Sequence, residues 1–92
     1  RALIIHGDNT YIIEKINQIV KLDVPNYGCL HIKYDGIDFK ADFVVGSVFA
    51  NNKILTNGES LPKNCVITLG DINRGADRVF VTFDVSNPEV VL

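Results

Sequence analysis

His6 and Asp8 flank a single glycine near the start of the chain, and Cys29 and His31 lie one residue apart further on. These are the positions where the sequence brings chemistry-bearing side chains closest together. A His6–Asp8 pair at a strand end could serve as an oriented general base. Asp8 also has a simpler use. With Asn9 and Thr10 it belongs to the residue types whose short side chains accept hydrogen bonds from the first free N–H groups of a helix. Cys29 and His31 would form a thiolate–imidazole nucleophile only within hydrogen-bond reach. Alternation along a strand puts them on one face about 7 Å apart. A mixed metal site from His6, Cys29, His31 and Cys65 would need all four to converge, and no pair among them has a zinc-ligand spacing. The sequence therefore assigns no catalytic residue, no metal ligand and no cofactor.

The stretch Gly70-Asp71-Ile72-Asn73-Arg74-Gly75-Ala76-Asp77-Arg78 is polar, flanked by glycine and carries two arginines. Arg74, Arg78 and Asn73 are its candidate binding residues, for a carboxylate or phosphate. The stretch matches neither a P-loop nor a dinucleotide fingerprint. Asp35, Asp38 and Asp42 lack the spacing of a calcium loop.

The elements that must position these groups follow from periodicity. Ala2 to Ile5 is a short β-branched run ended by Gly7, which predicts a buried strand. Ile12, Ile13, Ile16, Ile19 and Val20 recur with helical spacing opposite Glu14, Lys15, Gln18 and Lys21. That pattern predicts an amphipathic helix of about three turns. Its end is expected near Leu22, because Pro25 follows. Cys29 to Tyr34 and Ile37 to Phe43 both alternate around Asp35-Gly36, a favoured two-residue hairpin turn. The implied register sets Tyr34 against Ile37, Ile32 against Phe39 and Leu30 against Ala41. On the outer face, with His31, Lys33 then opposes Asp38, a pairing worth a few tenths of a kcal/mol. Further short strands are expected at 43–45, 48–50, 53–55, 65–69 and 78–83, with turns at Gly46, Asn51-Asn52 and Asn57-Gly58. Val79, Val81 and Phe83 are the expected inward face of the last strand.

The assembled expectation is an α+β domain with one amphipathic helix packed on a mainly antiparallel β-sheet. The alternative is a small, partly closed β-barrel with one helix. Ninety-two residues fit one domain spanning 1–92, whether it stands alone or belongs to a longer chain. The composition is 47% hydrophobic and 22% charged, which excludes disorder. Nine basic residues are scattered and the net charge is −2, so nucleic acid is not an expected partner. No apolar run is long enough to span a bilayer. The two cysteines read as reduced strand residues, with a cytoplasmic location as the expectation. The leading functional expectation is a non-catalytic protein-binding or assembly domain, acting on a protein partner or by self-association. It rests on surplus apolar residues, including Pro88 to Leu92. The alternatives are a small enzyme or enzyme subunit using His6 and Asp8 with Cys29, and an anion or nucleotide-derivative binder using the 70–78 loop.

Overall fold

The β-branched run at the start pairs at once with the segment after it. In the computed structural model, which describes residues 1–86, β1 (Ala2–His6) and β2 (Asn9–Ile13) form a hairpin. Its two-residue loop, Gly7-Asp8, carries the positive φ at glycine. Asp8 thus sits in a tight turn, where it was expected to cap a helix. The remaining strands are β3 (Ile19–Val24), β4 (Gly28–Tyr34), β5 (Phe39–Val45), β6 (Val48–Ala50), β7 (Lys53–Ile54), β8 (Asn64–Leu69) and β9 (Val79–Val85). All pairings are antiparallel. They build a six-stranded sheet in the order β2-β1-β9-β8-β6-β7 and a three-stranded sheet in the order β3-β4-β5. The expected Pro88–Leu92 apolar terminus lies outside the described residues.

The α+β expectation is overturned. Among the described residues strands make up 57% and helical residues 3%, and no helix reaches seven residues. One 3-10 turn, Ile72–Arg74, lies between β8 and β9. The expected barrel with one helix fails for the same reason. Residues 12–22 form the end of β2, a turn and most of β3. Isoleucine, branched at Cβ, loses side-chain freedom in a helix and packs well on a pleated sheet. Asn17 takes a left-handed φ of 69°, and the Gln18 N–H donates to the Lys15 carbonyl at 3.0 Å. The Gln18 amide then clamps the turn. Its oxygen accepts from the N–H groups of Glu14 and Lys15, and its nitrogen donates to the Ile12 carbonyl. Pro25 does not stop a helix. With Asn26 at φ 72° it forms the β3–β4 turn, closed by the Tyr27 N–H on the Val24 carbonyl. Proline first and a left-handed asparagine second is the arrangement a type II turn favours.

The expected β4–β5 hairpin exists with a different register. Tyr34 opposes Phe39, Lys33 opposes Lys40 and Ile32 opposes Ala41. The loop is Asp35–Asp38, four residues in place of two. The Asp35 carboxylate accepts from the N–H groups of both Ile37 and Asp38, which leaves Ile37 87% exposed. Lys40, facing Lys33, reaches Asp35 at 3.4 Å. A shift of two residues preserves which face is dry, so Leu30, Ile32, Phe39 and Ala41 are buried as expected. Past Ala41 the register shifts, so that Phe43 opposes His31 and Val44 opposes Leu30. Asp42 is the extra residue of this β-bulge.

The inner faces of the two sheets share one core. Ile4, Ile13, Val48, Ile67, Leu69, Val81 and Phe83 come from the larger sheet, and Leu22, Leu30, Ile32, Phe39 and Ala41 from the smaller. The rings of Phe39 and Phe83 meet edge to face at 5.6 Å across the sandwich. The connection from β7 to β8 runs along the outer edge of β5. Gly58 and Leu61 donate to the carbonyls of Ala41 and Phe39, and Ala41 donates to Glu59. Leu55 and Leu61 on this connection are buried.

Candidate functional site

Alternation on the smaller sheet turns a second set of side chains outward. Ile19, Lys21 and Asp23 of β3 stand opposite Lys33, His31 and Cys29 of β4. On the other side, β5 places Phe43 against His31 and Val45 against Cys29. Asp23 and Cys29 are direct cross-strand partners, and His31 is the next outward residue on the Cys29 strand. The Cys29 thiol donates to Asp23 Oδ1. The same oxygen lies 3.3 Å from His31 Nε2. The His31 ring packs on Phe43 at 5.0 Å. The donor atoms of Asp23, Cys29 and His31 all lie within 4.8 Å of one another.

This arrangement sets the state of each group. Burial, the hydrogen bond to Asp23 and the charge of that carboxylate push the Cys29 thiol up to about 11. Asp23 is held below the usual carboxylate value, chiefly by the Cys29 hydrogen bond and then by His31. At neutral pH Cys29 is therefore a thiol hydrogen-bonded to a carboxylate, not a thiolate paired with an imidazolium. An activated cysteine nucleophile needs the reverse. Cys65 lies in the core, and burial followed by the Asp84 charge pushes it to about 11 as well.

The sequence reading placed His31 on the outer face, and it is there. It treated Cys29 and His31 as too far apart to act together, and it missed Asp23, which links them. The missed signal is the alternation of Val20, Leu22 and Val24 with Lys21 and Asp23 ahead of a Pro-Asn turn. That pattern names a β3–β4 hairpin and places Asp23 opposite Cys29. His6 and Cys65 are not part of the cluster. His6 opposes Asn9 at the mouth of the first hairpin. Among the described residues no hydrogen bond joins His6 to Asp8.

Beside the cluster lies a shallow open groove of about 450 Å³, lined by Asp23, Cys29, the turn residues Val24 to Gly28, and Val45-Gly46. The 70–78 loop closes over the far side of that turn. Arg74 sets its guanidinium 4.4 Å above the Tyr27 ring and donates to the Asn26 carbonyl at 2.7 Å. The Tyr27 hydroxyl donates to Asp77 at 2.9 Å, and this bond raises its pKa. Arg78 donates to the Gly75 carbonyl and lies about 6 Å from both the Phe49 and Phe80 rings. Asn73 is exposed, and its backbone N–H donates to Asp71 at 2.9 Å. Arg74 and Arg78 thus each donate one guanidinium N–H to a backbone carbonyl of the protein itself.

The outer face of the larger sheet is the remaining feature. It presents Ile12, Leu3, Ile5, Val66, Phe80, Phe49 and Ile54, interleaved with Thr10, Thr68 and Thr82. Thr68, between its partners Phe49 and Phe80, is 2% exposed, whereas Phe80 is 52% and Val66 46% exposed. No family model, no curated protein and no solved structure matches this chain. Among the described residues, no helix is long and apolar enough to cross a membrane.

Proposed function

We propose that the protein is a non-catalytic binding or assembly domain that docks a protein surface, in the first instance a second copy of itself, on the outer face of its six-stranded sheet. The observation that carries this reading is the broad outward row of Ile5, Ile12, Val66, Phe80 and Ile54, all more than a third exposed. A sheet face open to water ordinarily alternates polar side chains against the buried set. Here the polar positions are mostly threonine, with Asp84 and Arg78 as the charges. Charge-depleted faces carrying aromatic and arginine side chains are typical of the buried centres of protein interfaces. A second copy would meet little like-charge repulsion across such a face. The two free thiols fit a reducing, cytoplasmic setting for this role, and the scattered basic residues do not favour a nucleic-acid partner.

Sedimentation velocity across a concentration series tests the proposal. The expected result is concentration-dependent association of the native chain, abolished by Val66→Glu and by Ile5→Glu with circular dichroism unchanged. A native chain that stays monomeric throughout, with no change in either variant, refutes the assembly reading.

A further inference from the structure

We propose that Asp23, Cys29 and His31 form a binding site for a borderline-soft divalent transition ion, of which Zn²⁺ is the best fit. Three observations converge on it. The first is geometry. A tetrahedral zinc site with bonds of about 2.0–2.3 Å has donor–donor edges of about 3.3–3.8 Å. Asp23 Oδ1 and His31 Nε2 already stand 3.3 Å apart, and all three donors lie within 4.8 Å. Side-chain adjustments of about an ångström close the set around one ion, with no backbone movement.

The second is rigidity. Asp23 and Cys29 are locked by cross-strand register and His31 by its place on the same strand, so the positions are held by backbone pairing on both sides of β4. The bulge at Asp42 sets Phe43 against the His31 ring and restricts its rotation. Sites mounted on strands keep their geometry better than sites on loops.

The third is the chemistry of the donors. One thiolate, one imidazole and one carboxylate suit zinc or cobalt, whereas magnesium and calcium require oxygen ligands. The balance is M²⁺ + Cys29–SH → Cys29–S–M⁺ + H⁺, with the proton released to solvent. Thiolate and carboxylate together then neutralise the ion. Lys21, opposite His31 and close enough to influence Asp23, and Lys33, the next outward residue beyond His31 on β4, are nearby charges that oppose binding. Three protein ligands leave a fourth position open. The adjoining groove shares Asp23 and Cys29 with the cluster, so a water or a small ligand could reach that position.

The test uses the full reduced chain and Co²⁺, with Zn²⁺ as competitor. One equivalent of Co²⁺ is expected to produce the visible bands of a tetrahedral ion and a thiolate-to-cobalt charge-transfer band, with about one proton released per ion. Zn²⁺ abolishes both bands and protects Cys29 from alkylation. Cys29→Ser removes the charge-transfer band. His31→Gln and Asp23→Asn each weaken Zn²⁺ binding by about a hundredfold or more, since even supporting residues around a metal cost 10–100-fold. Cys65→Ala and His6→Asn leave binding unchanged. Three results would overturn the site: Co²⁺ that remains octahedral, a Cys29→Ser chain that keeps the charge-transfer band, or His31→Gln and Asp23→Asn chains that bind as tightly as the native one. The ligand side chains face outward, so the variants fold. A circular dichroism spectrum matching the native one qualifies each chain for the comparison.

Discussion

Phe83→Ala probes the join between the two sheets. Phe83 is fully buried on β9, and its ring meets Phe39 of the other sheet at 5.6 Å and 70°. Phe39 in turn stacks on Tyr34 at 4.5 Å. Truncating a buried phenylalanine to alanine costs about 3–5 kcal/mol through lost transfer energy and the cavity left behind. At about 0.05–0.15 kcal/mol per residue, a domain of this size has roughly 5–14 kcal/mol in total. The variant therefore loses at least about a fifth of its stability, a drop in Tm on the order of 20 °C. Urea melts followed by circular dichroism read the loss directly. Phe80→Ala is the control, three residues away on the opposite face and half exposed, with an expected cost below about 1 kcal/mol. The aromatic contact itself should appear as a coupling of about 0.5–1.5 kcal/mol in a double-mutant cycle of Phe39→Leu with Phe83→Leu. A Phe83→Ala cost no larger than that of Phe80→Ala, or zero coupling in the cycle, would refute the face-to-face packing of the sheets.

Two further outcomes follow from the turns. Gln18→Ala removes the three side-chain hydrogen bonds that hold the β2–β3 turn. It should lower the urea midpoint by the equivalent of about 1 kcal/mol, since the freed groups regain water; an unchanged midpoint would show that the turn needs no clamp. Asp35 is held below its ordinary value of 3.8 by the N–H groups of Asp38 and Ile37, and Glu59 below its ordinary 4.5 by the hydroxyl and N–H of Thr56. Both carboxyls have folded pKa values below the unfolded ones. Their stabilisation is present above those ordinary values and is lost as pH falls through the lower, folded ones. Melts between pH 7 and pH 2 should fall off below about pH 4, and less steeply in Asp35→Asn with Glu59→Gln. Identical pH profiles for the two chains would contradict this.

Most of the strands were legible in the sequence, and the fold class was not. The strands expected at 65–69 and 78–83 occur as Asn64–Leu69 and Val79–Val85, with Val81 and Phe83 buried as read. Asn51-Asn52 and Asn57-Gly58 are turns in which Asn51, Asn52 and Gly58 take positive φ, a conformation asparagine and glycine tolerate. The error lay in residues 12–20. Five apolar residues at helical spacing also fit two strand ends with a turn between them. Ile13 and Val20 point inward, Ile16 lies in the turn, and Ile12 and Ile19 face water. Spacing alone cannot separate these solutions in so short a segment. The deciding contacts are the left-handed Asn17 and the Gln18 clamp, and the second becomes visible only once the chain has turned. Losing β3 to a helix also removed Asp23 from view, and with it the link between Cys29 and His31.

The β4–β5 hairpin shows why a wrong register can still give a right face. The four-residue loop capped by Asp35 moved each pair by two positions, and the pleat repeats every two residues. Leu30, Ile32, Phe39 and Ala41 therefore stayed dry under either pairing. A bulge has the opposite effect. If Asp42 were paired in regular alternation, Phe43 would follow Phe39 and Ala41 into the core, and Asp42 would stand against His31. The single extra residue reverses the parity from that point on. It sends Val44 towards Leu30 and brings Phe43 and Val45 out beside His31 and Cys29. The apolar surround of the Asp23–Cys29–His31 cluster is thus a consequence of one irregularity in β5. Hydrophobic alternation sorts residues between inside and outside, but it does not place bulges, and here the bulge sets what surrounds the site.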